Sequence, residues 1–493
     1  MQRFLIPSGV VRWALILAFA VPGFAALPST TVWEVRPTVG SNTNGGGFVT
    51  GSAGTDWSQQ NAAQYSLVNG VANGTTLVAT ISAAADMVGN IAYIAGGTGS
   101  ITAGWYQVVS EVLGVSITVD RATGLTTGTG VTINIGGALS TIAQANSNAS
   151  ANNVVWIKAT GTYTVTTAMS VTNNSGAGLP LSFIGYTSTR GDNGQITWTT
   201  ATNSVDLVTF TASNNTLFQN ILFSSTAGTP GNGFHALSSG TDSTSVYLIN
   251  SKISGVLNGV LGNFTAESAF NGLYILYSRI TACTNIGVEN TGGVVFFASE
   301  IDNNANDGAN WLGIVRGNVS TAWSIANSVF YKNGGNGVNI SVSSLGQAIN
   351  PMLIVNQSDF STNTDSGILT TNNASPVAII TNSIFDANGT YGVSGSSGSA
   401  TLQFLFNSNA FFSNGTAQTQ NILASPSTIT LSASPYVSVG SNFALNSTAG
   451  GGGLLRGLGF PGIMPAGTGF ASVGALQPST GAAASQHAYP IVQ

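Results

Sequence analysis

The chain has 493 residues, 43% of them hydrophobic and only 5% charged, with 63 glycines, one cysteine and a formal net charge of −5. So little Glu and Lys leaves few residues to clothe exposed helices. Mild acidity without a basic cluster argues against nucleic-acid binding, and a lone Cys283 excludes an internal disulfide framework.

In chain order, residues 1–26 read as a secretory signal: Arg3 and Arg12 flank the start of an apolar stretch over 13–21, and Gly23-Phe24-Ala25 offers a small-x-small cleavage site. No later run approaches about 20 apolar residues, so no transmembrane segment is expected after signal removal, and the product should be secreted or held at the cell surface. Residues 27–75 form an N-terminal segment containing Trp33-Glu34-Val35-Arg36-Pro37. Residues 76–138 carry short strand-like runs at 76–79, 91–95, 105–109 and 116–120, the spacing of a small β-barrel or sandwich. The stretch 141–150 is the one plausible short helix, suited to plugging the end of a coil.

From there one phrase recurs. Apolar anchors at Phe223, Ile253, Ile280, Ile301, Phe330, Phe360, Phe385 and Ala410 lie 21 to 30 residues apart. Five before them stand Phe218, Leu248, Ile275, Phe296, Ile325, Val355, Ile380 and Leu405; three before stand mostly Asn (Asn220, Asn250, Asn327, Asn382, Asn407). Seven after the five anchors from Ile280 to Phe385 come Gly287, Gly308, Gly337, Gly367 and Gly392. Such a period signals stacked supersecondary units, and short apolar runs bounded by Asn, Ser and Gly make them strands, not helices. Equivalent side chains then stack at about 4.8 Å. The Asn fits a bend and a side-chain ladder, and the Gly a corner of positive φ.

The words IITNSIFDANGTYG at 379–392, IANSVFYKNGGNG at 325–337 and the opening VVWIKATGTY at 154–163 resemble the right-handed parallel β-helix (pectin lyase-like) superfamily of pectate lyases, polygalacturonases and phage tailspikes. The closing stretch 445–477 resembles that of secreted bacterial members. The resemblance implies an all-β fold, a single right-handed parallel β-helix solenoid over 139–477, preceded by a small N-terminal β domain and followed by a tail at 478–493. Because one fold hosts many activities, function has to come from the site.

Charges are few enough to inspect singly. One before the anchor come Lys252, Arg279, Glu300, Val329 and Asp359 on successive coils, which should point outward beside an inward anchor. Arg279 and Glu300 fall on neighbouring rungs, Asp302 shares the face of Glu300 at about 6.7 Å, and Tyr331 follows Asp302. This makes Arg279, Glu300 and Asp302 the candidate catalytic set for a glycoside hydrolase or a polysaccharide lyase, the latter with Ca²⁺ as its cofactor; no cofactor is otherwise expected. A solvent-exposed ladder of opposite charges is the plainer reading. His235 and His487 have no acidic partner at metal spacing, so no metal site is expected from them. Arg190-Gly191-Asp192 reads as a turn.

Six before the anchor stand Leu217, Tyr247, Tyr274, Val295, Ser324, Ile354, Ile379 and Phe404, an outward apolar stripe. It could be a sugar-binding track through Tyr247, Tyr274 and Tyr331, or a seam for another protein chain or a C-terminal segment. The preferred expectation is an exported surface or particle-associated protein that binds a glycan or a partner chain along its flank without catalysis. The alternative is a lyase or hydrolase of an extracellular polysaccharide.

Overall fold

Each coil lays down three short strands separated by bends, as in Met352–Asn356, Asp359–Ser361 and Ile368–Thr371, followed one circuit later by Val377–Thr381, Ile384–Asp386 and Tyr391–Ser394. In the computed structural model every third strand pairs in parallel with its predecessor: Ile354 faces Ile379, Phe360 faces Phe385 and Ile368 faces Val393. The result is one chain wound right-handedly into sheets of twelve, eleven and ten strands, called sheets 1, 2 and 3 in order along each coil. The structure describes residues 27–475 apart from 75, 79–85, 100, 125–126, 172–178, 212–214, 238–243, 263–269, 313–321, 342–351, 372–376, 396–402, 423–427, 457 and 460–472. The signal-like residues 1–26, the tail at 478–493 and His487 lie outside the described residues, as does the Phe404 side chain.

Anchors fill the interior. Phe330, Phe360, Phe385 and Phe411 stack at centroid separations of 5.3, 5.0 and 5.1 Å with nearly parallel rings, all fully buried. Burying each ring contributes about 1.5–3 kcal/mol. In the last coil the anchor is Phe411 and not Ala410, because Phe385 pairs with Phe411. The frame there shifts by one, so Phe406 is buried and Leu405 takes the outward position, 60% exposed.

The glycines and asparagines also differ from expectation. Gly287, Gly308, Gly337 and Gly367 are not at positive φ; a Cβ on each would sit 2.4–2.6 Å from the carbonyl oxygen of the equivalent glycine one coil on. Close backbone approach, then, is what selects glycine. Positive φ falls instead three before the anchor (Asn220 60°, Asn250 45°, Tyr277 52°, Gln357 49°, Asn382 53°) and two after it (Ala282 54°, Asn303 52°, Lys332 54°, Thr362 54°, Ala387 53°). The continuous Asn ladder runs three after the anchor, where Asn304, Asn333, Asn363, Asn388 and Asn414 pass amide hydrogens from coil to coil at 2.9 Å. Two before the anchor, Ser278, Ser299, Ser328, Ser358 and Ser383 form a second ladder, each hydroxyl accepting the backbone N–H of the residue one coil back at 3.1–3.3 Å. Buried bends thereby satisfy polar groups that the strands cannot.

The N-terminal segment belongs to the winding. Thr31–Val35 pairs in parallel with Val154–Lys158 and so begins the parallel winding of sheet 1, with Gly47–Val49 antiparallel outside it. The chain then leaves to form a closed six-stranded barrel between Tyr65 and Ile135, its first strand Tyr65–Asn73 preceding residue 76. It returns where Leu139 bridges Val35. The helix Ile142–Asn148 follows, capped by the Thr141 hydroxyl, which accepts from Gln144 N–H at 3.2 Å, and its Ile142 and Ala145 join the solenoid core.

At the other end, the described residues 431–456 and 473–475 fold back over the outer face of sheet 2. Leu431, Tyr436, Phe443, Leu445, Leu455, Val473 and Ala475 bury Val329, Tyr331, Ile384 and Ala410. Among the described residues, the seam with a C-terminal segment therefore lies on sheet 2 and not on the stripe of sheet 1.

Candidate functional site

Arg279–Thr281, Glu300–Asp302 and Val329–Tyr331 are successive strands of sheet 2, with Arg279 beside Glu300 and Asp302 beside Tyr331. Their anchors Ile280, Ile301 and Phe330 point inward, which sends the flanking side chains out. Arg279, Glu300, Asp302 and Tyr331 are brought together, at the margin where the C-terminal segment begins to cover the sheet.

Asp302 is fully buried and fully engaged. It accepts from Arg279 Nε at 2.7 Å and Nη2 at 2.8 Å, from the Thr281 hydroxyl at 2.8 Å and from the Asn303 amide. That bidentate fork is the strongest polar geometry in the cluster. Its hydrogen bonds raise the Arg279 pKa further, which holds the guanidinium in its charged form. Arg279 Nη2 also donates to the Tyr331 hydroxyl at 3.3 Å, and the Tyr331 ring packs on Phe443 at 5.0 Å, leaving it 7% exposed.

Glu300 is the group with freedom. Its carboxylate lies 3.4 Å from Arg279 Nε, longer than the Asp302 contacts. Burial pushes the carboxyl up to about 7, against the pull of Arg279 and Lys252 and with a push from Asp302. One carboxyl therefore exchanges its proton near neutrality while its neighbour is tied into an ion pair.

On sheet 1, Leu217, Tyr247, Tyr274, Val295, Ser324, Ile354, Ile379 and Leu405 face one another rung by rung, forming the stripe. The residues from Leu217 to Ile379 are half-buried. Tyr247 and Tyr274 stack ring on ring at 4.5 Å and 6°. Their faces are turned to each other, so they offer edges and hydroxyls, not open ring faces, to a ligand.

Two features escaped sequence reasoning. His235 does have an acidic partner: Asp206, one coil earlier, lies 2.7 Å from its Nδ1 and is itself held by Asn232. Glu289, on the same face of sheet 3, is pushed up to about 7 by burial and by Asp307. Only the coil geometry joins residues 29 apart, and no local word marks them. Arg190 turns inward onto Glu34 and Asp56 at 2.8 and 2.9 Å, while Asp192 accepts the backbone N–H groups of Ser188 and Gly194, so this tripeptide is engaged within the fold. Burial pushes the Cys283 thiol well above its usual range. Among the described residues no three His, Cys, Asp or Glu side chains gather as a metal cage.

No family model matches the chain, and no curated protein does. Among solved structures it is similar to pectate lyase Pel9A, at 16% identity over 69% of this chain and 91% of that one, with a TM-score of 0.49. The periplasmic alginate epimerase AlgG follows at 13% identity, 56% and 76% coverage and a TM-score of 0.32. The catalytic unit of a GH87 alpha-1,3-glucanase from Streptomyces thermodiastaticus shares 13% identity, with 74% and 86% coverage and a TM-score of 0.31. Likeness at this level concerns the course of the backbone, and what decides the fold is the parallel pairing of every third strand from Val154–Lys158 onward in three stacked sheets. By that winding the chain has the right-handed parallel β-helix fold.

Proposed function

We propose that the protein is an exported, non-catalytic rod that binds an elongated uncharged partner, a glycan or a protein chain, along the outer face of sheet 1. The supporting observation is the column from Leu217 to Leu405: eight rungs, seven of them apolar or aromatic, with no acid or base among them. Contiguous apolar surface of this kind marks a contact site. On sheet 2 the candidate catalytic set speaks the same way, since Asp302 and Arg279 are spent on each other. The test is a glycan array together with capture of a defined partner chain, using the mature protein and Tyr247→Ala/Tyr274→Ala. Binding weakened about tenfold in the variant, without turnover, supports the reading; unchanged binding refutes it.

A second reading rests on Glu300. A largely buried carboxyl near 7 is poised for general acid or base work on an extracellular polysaccharide, with Arg279 as its charged neighbour. Incubation with uronate-containing and neutral polysaccharides, with and without Ca²⁺, decides it. Unsaturated or reducing products that vanish in Glu300→Gln would replace the binding reading with this one.

A further inference from the structure

Beneath the C-terminal segment the outer face of sheet 2 carries two carboxyls, Asp359 and Asp386, both 0% exposed. Asp359 Oδ1 accepts the Ala475 N–H at 3.1 Å, and Asp386 Oδ2 lies 3.4 Å from the Ser361 hydroxyl. Asp359 Oδ2, Asp386 Oδ1 and the Tyr436 hydroxyl are buried without a hydrogen-bond partner. The Tyr436 hydroxyl approaches Asp359 closely enough to affect its titration, yet makes no bond of ordinary geometry.

Among the described residues the surroundings supply no compensating charge. From the sheet come Val329, Tyr331, Ile384 and Ala410; from the segment come Leu431, Tyr436, Phe443, Leu445, Leu455, Val473 and Ala475. Their titratable members besides the two aspartates are Tyr331 and Tyr436. Lys332 lies against Gly440, and Arg456 donates to the Leu445 carbonyl at 2.7 Å; neither forms an ion pair with these aspartates. Two ionised carboxylates cannot rest in such a seam, so each is protonated or a cation sits between them. Three unengaged oxygens fall well short of the six to eight that Ca²⁺ takes.

We propose that the described residues of the C-terminal segment, 431–456 and 473–475, act as a proton-locked strap, seated on the protonated carboxyls of Asp359 and Asp386 and loosened when those protons are lost. Loosening would uncover the rungs from Val329 to Ala410, next to the partly buried Arg279 and Glu300. Burial pushes Asp359 up to about 8 and Asp386 to about 7, against an ordinary 3.8. Both groups bind protons more tightly docked than released. Docking is therefore strongest below about pH 4 and weakens as pH rises to about 8, above which it changes no further.

The test is hydrogen exchange of the full-length mature chain from pH 5 to pH 9, corrected for intrinsic rates, following the amides of Gly474, Ala475 and Asn446 against those of sheet 1. Protection of the three should fall at least tenfold while sheet 1 holds, and Asp359→Asn/Asp386→Asn should keep its protection at pH 9. A flat wild-type profile would overturn the proposal whether or not the double variant folds. So would protection at pH 9 that Ca²⁺ restores and a chelator removes, because the lock would then be a cation.

Discussion

Glycine and alanine trade places in this coil according to which backbone constraint each meets. Gly337 stands where a Cβ would press on the Gly367 carbonyl at 2.6 Å, so Gly337→Ala should lower stability by about 1–3 kcal/mol in denaturant unfolding. Ala282, exposed at φ 54°, is the reverse case. Relief of left-handed strain of about 1–2 kcal/mol outweighs the added chain entropy of about 0.5–1, so Ala282→Gly should be neutral or stabilising. Glu300 provides a titration at the same scale: carboxyl NMR should find it changing charge near pH 7, and Arg279→Met should raise that midpoint by removing the nearest cation. Presence of a repeating glycine was legible in the sequence, but its cause was not. A seven-residue offset reports that something excludes Cβ without distinguishing a positive φ from a neighbour's carbonyl.

Ladders are the next scale up. Asn333 donates to Ile301 O at 3.1 Å and Asn363 Oδ1 at 2.9 Å and accepts from Asn304. Asn333→Ala removes bonds to buried groups on the two flanking coils and should cost about 3 kcal/mol, measured by the same unfolding, whereas Asn306→Ala at the exposed outer corner should cost under about 1. The loop at Arg190 makes a second element-level case. It reaches Glu34, which is fully buried and also pairs with Arg36 at 2.9 Å. Arg190→Ala should destabilise by about 3 kcal/mol, because a buried charge loses part of its compensation. The inward rows were readable because each coil repeats the same choice of residue types. A contact such as Arg190 to Glu34 occurs once, so no periodicity announces it.

Across the whole molecule the solenoid behaves as a one-dimensional stack in which each coil meets only its neighbours, and its ends need covering. The helix at 142–148 was foreseeable as an end plug from its position before the first repeat. The strap was not, since its bond from Ala475 to Asp359 spans 116 residues and its apolar members follow no period. For the same reason the site could be placed but not weighed: rung spacing put Arg279 beside Glu300, while the sequence could not show that Asp302 would be consumed by that arginine.

The barrel lies on a side branch of this stack. Gly45 and Gly46, on the way out, bond through their N–H groups to the carbonyls of Gly136 and Gly137 on the way back, at 2.9 and 2.8 Å. Departure and return thus run side by side, and a foreign module whose termini are as close could replace the barrel between residues 64 and 136 while leaving the Gly47–Val49 strand of sheet 1 in place.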